Sequence, residues 1–397
     1  YTPPVSTAQP FSITTEMAPT PWSDRHQLLQ IGLKGFAPEL EERPAANLVF
    51  LVDVSGSMQS PQKLGLVKKS LRLLVNRMTA RDRIALAVYA GAAGTVLEST
   101  AGSEKARILS AIDSLQAGGS THGSAGINLA YALAQQHRIK DGINRVIIAS
   151  DGDMNVGTVN LESLKDLVEQ KRKDGIALTT LGFGSGNYNY ALMEQLADVG
   201  NGNASYIDSL QEAQKVLVNE MQSTLLTIAS DVKIQVEFNP ALVSEYRLIG
   251  YENRLLNRED FRNDKVDAGD IGAGHTVTAL YEIVLAGSDG QRIPELRYGA
   301  RQEQAQENTD ELAYVKLRYK QPGQDSSIEL ARAISSDSVR SSIDQSSDDL
   351  RFAASVAGFG QILQGGTFTG GWNYGDALAL ARVARGQDPH GYRRELL

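Results

Sequence analysis

The sequence predicts a doubly wound α/β domain flanked by, or inserted in, a small antiparallel β-sandwich, with helices at its C-terminal side. Apolar strands alternate with helical patterns over residues 47–230, as in parallel-sheet domains. Residues 231–325 instead alternate polar and apolar side chains, which is typical of half-exposed antiparallel strands. Residues 1–46 read as a proline-rich arm followed by one strand, and residues 326–397 as a linker and closing helices.

The α/β elements follow from two periodicities. Residues 48–52 form a short continuous apolar run, which is typical of a strand buried on both faces of a sheet. From Leu64 to Met78, apolar residues recur every three or four positions and predict a helix with one buried face. The same reasoning predicts strands at residues 84–89, 146–149, 176–183 and 204–207, and helices at residues 106–115, 127–137, 161–173, 191–197 and 211–228.

The sandwich is predicted from strict alternation at residues 232–238 and in parts of 276–285 and 313–319. We expect the strand at residues 27–34 to join it, which would make the α/β domain an insertion between sandwich strands. The serine-rich, acidic segment 321–350 is typical of an exposed linker or mobile helix. Two closing helices are predicted, at residues 350–363 and 377–384.

The composition excludes several classes of protein. The 397 residues contain 39 Lys+Arg and 47 Asp+Glu, a net charge of −8, so a nucleic-acid groove has no electrostatic support. Because cysteine is absent, disulfides, thiolate metal sites and cysteine nucleophiles are excluded. The apolar runs fall far short of the ~20 residues that span a bilayer. The chain begins at Tyr1 rather than Met, so either a leader has been removed or the sequence has been shortened.

Oxygen-bearing side chains lie on three loops that we expect at one edge of the α/β sheet. Asp53, Ser55 and Ser57 directly follow the first buried strand, and Asp151 directly follows another. Thr121 lies on a loop between two predicted helices. Ligands of doubly wound sheets bind at the carboxyl ends of the strands. Two carboxylates with three hydroxyls suit a small hard cation, Mg²⁺ or Mn²⁺.

So few formal charges leave the cation only partly neutralised. Water or an incoming acid must then complete its coordination shell. We therefore expect a protein or peptide partner that offers an Asp or Glu carboxylate.

The pattern Asp53-x-Ser55-x-Ser57 with Thr121 and Asp151 resembles the metal-ion-dependent adhesion site of von Willebrand factor type A domains. The order and the placement on three loops all match, and the resemblance covers about residues 47–230. It implies a metal-binding adhesion module that takes Mg²⁺, with Mn²⁺ or Ca²⁺ as the alternatives.

Segments that flank this pattern resemble a bacterial envelope family. They are residues 151–157, 184–189, 193–197 and 267–275. Members of that family carry a von Willebrand A domain and a C-terminal extension of unknown function, and many are lipoproteins. The resemblance implies an extracytoplasmic location, in the periplasm, on the outer membrane or at the cell surface, and a lipid anchor upstream of Tyr1.

Residues next to the metal pattern are predicted to form the rim that contacts a partner. They are Met58, His122, Asp153, Asn155 and Tyr188.

Two other motifs resemble ligand sites in part. Asp151-x-Asp153-x-Asn155 with Glu162 mimics a calcium loop, but the position that needs glycine holds Val156. The glycine-rich residues 182–186 are followed by no lysine that could reach a phosphate, which favours a simple turn.

The leading hypothesis is thus a non-enzymatic, divalent-cation-dependent binding module of the cell envelope. A serine hydrolase with His122 as base is weaker, since residues 118–122 do not form the GxSxG elbow. The alternatives left open are a structural or assembly factor of envelope complexes and a metal-assisted hydrolase.

Overall fold

Two units make up the chain, each built on its own sheets. One unit comprises residues 37–227 and 272–274, and the other comprises residues 1–36, 228–271 and 275–397. The computed structural model describes all residues except 5–8, 39–42, 120–122, 153–160, 185–188, 221–224, 252–254, 265, 267, 294–309 and 325.

The described strands are, in chain order, β1 (Phe11–Thr20), β2 (Ser23–Gly35), β3 (Ala46–Asp53), β4 (Arg83–Tyr89), β5 (Ala93–Ala101), β6 (Ile143–Ser150), β7 (Ala177–Phe183), β8 (Ala204–Ile207), β9 (Thr227–Phe238), β10 (Val243–Ile249), β11 (Gly269–Gly272), β12 (Thr276–Leu285), β13 (Glu311–Lys320) and β14 (Ser327–Ser335). The described α-helices are α1 (Leu64–Arg77), α2 (Lys105–Ser114), α3 (Gly123–Gln136), α4 (Leu161–Lys173), α5 (Tyr190–Val199), α6 (Leu210–Gln214), α7 (Asp348–Leu363), α8 (Tyr374–Val383) and α9 (Tyr392–Leu396).

The first unit contains a six-stranded sheet in the order β5-β4-β3-β6-β7-β8. Its neighbours run parallel except β4 and β5, which are antiparallel. Leu48, Phe50 and Val52 of β3 belong to a core with α1, whereas Val49 and Leu51 belong to a second core with α3. Both faces of β3 are therefore buried, which explains its unbroken apolar run. The predicted α/β fold class is confirmed.

The second unit contains two four-stranded sheets, β1-β2-β12-β10 and β11-β9-β13-β14. Leu29 and Ile31 of β2 share a buried core with Val315 of β13, and Leu33 shares another with Leu317. The two sheets thus pack through their inner faces as a sandwich. Because β2 pairs with β12, the chain leaves the sandwich after β2 and returns to it at β9.

The outer face of the first sandwich sheet is covered by α7. Leu28 points to the opposite side of β2 from Leu29, and it packs in one cluster with Leu280, Leu350 and Ala354. The C-terminal helices predicted from the sequence are therefore present, and α7 buries an apolar sheet face that would otherwise meet water.

The two polar segments form strands, which differs from the sequence prediction. β1 occupies part of the predicted arm and pairs with β2 along its length. β14 lies within the predicted linker and pairs with β13. Both are edge strands, and only one residue of β14 is buried. An edge strand held by main-chain hydrogen bonds can carry a polar composition, so the composition misled the prediction.

The long helix predicted at residues 211–228 is also wrong. α6 ends at Gln214 and a π-helical turn, Lys215–Asn219, follows it, while β9 already begins at Thr227. Ala213, Val216 and Leu217 are buried with helical spacing, so the apolar stripe is real but short. Within the part of the chain that the structure describes, no helix has the length and apolar character to cross a membrane.

Candidate metal centre

The predicted metal residues lie where the order of strands in the sheet reverses. After β3 the chain moves to β4 on one side of the sheet, and after β6 it moves to β7 on the other. The crevice between the carboxyl ends of β3 and β6 is therefore the topological switch point, the usual ligand position in such sheets. Asp53 is the last residue of β3, and Asp151 directly follows β6.

The carboxylate of Asp53 is completely buried and is held on both oxygens. Its Oδ1 accepts a hydrogen bond from the Ser55 amide at 2.8 Å, and its Oδ2 accepts one from the Ser150 hydroxyl at 3.1 Å. Burial raises the pKa of Asp53, the bonds from Ser55 lower it, and the nearby Asp151 charge raises it again, with a net increase. The two carboxylates thus lie close enough to repel each other, which favours a cation between or beside them.

The hydroxyls of Ser55 and Ser57 lie next to each other on the loop after β3. Their oxygens are 3.0 Å apart. Ser55 is buried and Ser57 is exposed, so the pair leads from the interior to the surface. A short 3-10 turn, Gly56–Met58, sets this spacing.

Main-chain bonds tie this loop to the segment that precedes Thr121. The Gly56 amide donates to the Gly119 carbonyl at 3.1 Å, and the Gly118 amide donates to the Val54 carbonyl at 2.7 Å. Gly119 adopts a left-handed conformation, φ 94°, which favours glycine at this turn. Thr121 itself, the third loop ligand predicted from the sequence, lies outside the described residues.

The donor set fits a hard divalent cation. Octahedral Mg²⁺ holds its oxygens at about 2.1 Å, so two neighbouring ligands lie about 3 Å from each other. The Ser55 and Ser57 oxygens have that separation. In the described ranges, no group of three or more His, Cys, Asp or Glu side chains is arranged to hold a metal. The candidate centre has two carboxylates, and its other donors are hydroxyls.

Lys63 is a site residue that the sequence analysis missed. Its ammonium donates to Oδ2 of Asp151 at 2.7 Å, with side-chain exposures of 22% for Lys63 and 4% for Asp151. The two residues are 88 positions apart, and they meet only because α1 begins beside the end of β6. The one local signal is a basic residue at the N-cap of a helix, where a cation is disfavoured.

Met58 was predicted to be a rim residue, and this prediction is wrong. Its side chain is completely buried in the core that contains Leu64 and Val67. The 3-10 turn points it inward, although its neighbour Ser57 is exposed. The other predicted rim residues, His122, Asp153, Asn155 and Tyr188, lie outside the described residues.

Comparison with known proteins agrees with the fold. The von Willebrand factor type A domain matches residues 47–239, and a family described as the C-terminal part of the uncharacterized protein YfbK matches residues 223–397. Over 397 residues the chain is 47% identical to the uncharacterized protein YfbK of Escherichia coli strain K12, covering 99% of this chain and 68% of that protein.

More distant similarities concern parts of the chain or the fold alone. Human inter-alpha-trypsin inhibitor heavy chain H4 is 31% identical over 206 residues, which are 48% of this chain and 22% of that protein. The solved structure of a von Willebrand factor type A protein from Catenulispora acidiphila is 15% identical with a TM-score of 0.49, covering 97% of this chain and 89% of that one.

The fold and the matched domain define a von Willebrand factor type A domain protein. Within that class, the chain belongs to the family of the Escherichia coli protein YfbK. Both parts of the predicted resemblance, the von Willebrand A domain and the C-terminal extension, are confirmed.

Proposed function

We propose that the chain is a divalent-cation-dependent binding module that captures a carboxylate of a protein or peptide partner. One observation carries the proposal: two serine hydroxyls 3.0 Å apart lie beside the carboxylates of Asp53 and Asp151 at the switch point of the sheet. Membership of the von Willebrand A class supports it further.

The chain's own residues would prepare the site. Ser55 and Ser57 supply neutral oxygens, and Asp53 and Asp151 supply charge, either directly or through water. Thr121 is the further ligand that the sequence predicts. Mg²⁺, or Mn²⁺ or Ca²⁺ in its place, supplies when bound an open coordination position for an acidic side chain. Ser57 is exposed, so a partner has access from solvent.

The negative net charge of the chain favours recognition of an acidic partner at the bound cation itself. The net charge of −8 repels an acidic partner at long range, so attraction must come from the cation itself. Solvent ions screen the long-range repulsion within about 10 Å at 0.1 M salt, whereas coordination at the site persists.

We further propose a non-enzymatic role. Residues 118–122 do not form the GxSxG elbow of serine hydrolases, and a bound cation would already engage the hydroxyls of Ser55 and Ser57. The location proposed is the bacterial cell envelope, with a lipid anchor upstream of Tyr1. Fractionation of cells that express the natural protein would test that location.

Titration calorimetry with MgCl₂ tests the metal site. We expect saturable binding by the wild-type chain and loss of binding in Asp53→Asn, which keeps the size of the side chain. Asp113→Asn, at an exposed position on α2, is the matched control and should bind as the wild type does. If the wild-type chain shows no heat of binding at MgCl₂ concentrations up to about 10 mM, the metal site is refuted.

Capture from envelope extracts with and without EDTA tests the binding role. We expect retained proteins to be released by EDTA and to be absent with Asp53→Asn. Capture that ignores both changes would favour the assembly-factor alternative, in which another surface binds. Hydrolysis of a generic ester or phosphate, lost in His122→Ala, would favour the hydrolase.

A further inference from the structure

The ion pair of Lys63 and Asp151 joins the candidate centre to the start of α1. The Lys63 ammonium lies 2.7 Å from Oδ2 of Asp151, whose side chain is almost fully buried. Asp151 also acts on the pKa of Asp53, so the ammonium is held next to a pair of neighbouring carboxylates. The pair therefore places a positive charge where the proposed function places a divalent cation.

The path of the lysine side chain is built into the fold. Gly184, directly after β7, has φ 89°, and a Cβ at this position would lie 2.6 Å from Cγ and 2.7 Å from Cε of Lys63. Any larger residue would collide with the lysine stem. The main chain of Lys63 is fixed as well, because its amide donates to the Ser60 carbonyl at 3.0 Å and its carbonyl accepts from Val67 at 2.9 Å.

Local preference does not account for this lysine. The first turn of a helix carries a partial positive charge and favours acidic residues over basic ones. Lys63 is the N-cap residue directly before α1, and no acidic residue occurs in the first turn. A residue that breaks a local rule, while its side chain reaches a buried carboxylate, indicates a role at the site.

We propose that Lys63 is the internal counter-ion of the metal centre, which occupies Asp151 until a divalent cation takes its place. This inference rests on the proposed function. Binding of a cation at Asp151 requires the ammonium to release Oδ2, and the 22% exposure of Lys63 gives it a route toward solvent. The lysine thus weakens cation binding while it stabilises the metal-free protein.

Removal of the Lys63 ammonium should have opposite effects on the stability of the metal-free protein and on its affinity for a divalent cation. Without the ammonium, Asp151 and Asp53 would repel each other more strongly, so the metal-free protein should unfold more easily. The same repulsion, together with the loss of a positive charge at the site, should raise the affinity for a divalent cation. If Lys63 had only a structural role, its substitution would instead lower both the stability and the affinity for the cation.

The experiment compares wild type, Lys63→Met and Lys69→Met. Lys69 is an exposed lysine of α1, so its substitution makes the same change in net charge away from the site. Each protein is titrated calorimetrically with MgCl₂ at fixed ionic strength, and its thermal unfolding is measured in EDTA. We expect Lys63→Met to bind Mg²⁺ at least about tenfold more tightly and to unfold at a lower temperature. Lys69→Met should match the wild type in both.

The outcomes separate this inference from the proposed function. Titrations without binding for wild type and Lys63→Met alike would overturn the metal site and this inference together. A wild type that binds Mg²⁺, with Lys63→Met equal to it or weaker, would overturn the inference alone. Should Lys63→Met fail to fold, Lys63→Gln removes the charge and keeps an N–H donor, and the same criteria apply.

Discussion

The guanidinium of Arg43 binds both carboxylate oxygens of Asp82, at 2.9 and 2.7 Å, beside the start of β3. Both residues are almost completely buried. Asp82 Oδ1 also accepts a hydrogen bond from the amide of Ala46, the first residue of β3, at 3.0 Å. This pair therefore anchors one end of the strand whose other end carries Asp53.

Breaking this pair should destabilise the α/β unit strongly. Arg43→Met leaves a buried carboxylate without its main counter-ion, and we expect a loss of about 3–5 kcal/mol in the free energy of unfolding. Urea unfolding followed by circular dichroism measures it. Arg72→Met is the control, because the Arg72–Asp113 pair is exposed and should contribute less than about 1 kcal/mol. Equal losses in the two variants would contradict the prediction.

The same carboxylate predicts a dependence of stability on acid. Burial alone would raise the pKa of Asp82, but hydrogen bonds from Arg43, Thr79 and Ala46 outweigh it and hold the pKa below its usual value. The folded state then binds the proton less tightly than the unfolded state does. The stabilisation is fully present above the unfolded pKa of about 3.9 and is lost as the pH falls through the folded pKa.

Asp82→Asn removes this titration. We expect the difference in unfolding free energy between wild type and Asp82→Asn to be largest near neutral pH and to shrink below about pH 4. Urea unfolding at a series of pH values from 7 to about 3 measures the difference. A difference that stays constant over that range would show that Asp82 does not titrate as predicted.

The serine pair predicts the effect of removing single metal donors. Ser55→Ala and Ser57→Ala should each weaken Mg²⁺ binding about tenfold or more, since loss of even an indirect metal partner costs about 10–100-fold. Calorimetric titration measures the affinities. Ser103→Ala changes an exposed serine outside the site and should leave them unchanged. If Ser55→Ala and Ser57→Ala both bind as the wild type does, the hydroxyls are not ligands.

A second buried charge cluster lies within the sandwich unit. Glu282 of β12 is almost fully buried and interacts with His26, Arg247, Arg292 at 3.1 Å and the indole of Trp22 at 3.4 Å. One carboxylate thus accepts hydrogen bonds from several donors that lie on separate segments of the unit.

Removal of that carboxylate should destabilise the sandwich. We expect Glu282→Ala to lose about 1–3 kcal/mol, because the buried His26 and the partly buried Arg247 then lose a shared acceptor. Trp22 and Trp372, the two tryptophans of the chain, pack 5.8 Å apart in this unit, so tryptophan fluorescence reports its unfolding. Glu329→Ala, at an exposed position of β14, is the control and should change the midpoint of the unfolding transition little. The prediction is wrong if both variants unfold alike.

Hydrophobic periodicity predicted the centre of the α/β sheet well because β3 and β6 are buried on both faces. The continuous apolar run over residues 48–52 is favourable only where both faces of the strand are buried, and it places Asp53 at the end of that strand. Likewise, Asp151 follows the apolar run of β6. The donors Asp53, Ser55, Ser57 and Asp151 were therefore accessible from the sequence as one group, since topology brings the ends of parallel strands together.

The polar edge strands could not be predicted from hydrophobic periodicity. β14 keeps its place through main-chain pairing with β13, and main-chain hydrogen bonds leave little trace in side-chain composition. β1, with prolines in its surroundings, is an edge strand for the same reason. Strand pairing across long sequence separations decides these elements.

The amino-acid sequence by itself determined the fold class and the oxygen donors of the candidate centre, because both depend on local order along the chain. Only the tertiary structure decided which charges meet there. Met58 turns into the core, and Lys63 reaches Asp151 past a glycine that follows β7. Such contacts arise from the packing of segments far apart in sequence, and local patterns do not predict which residues meet.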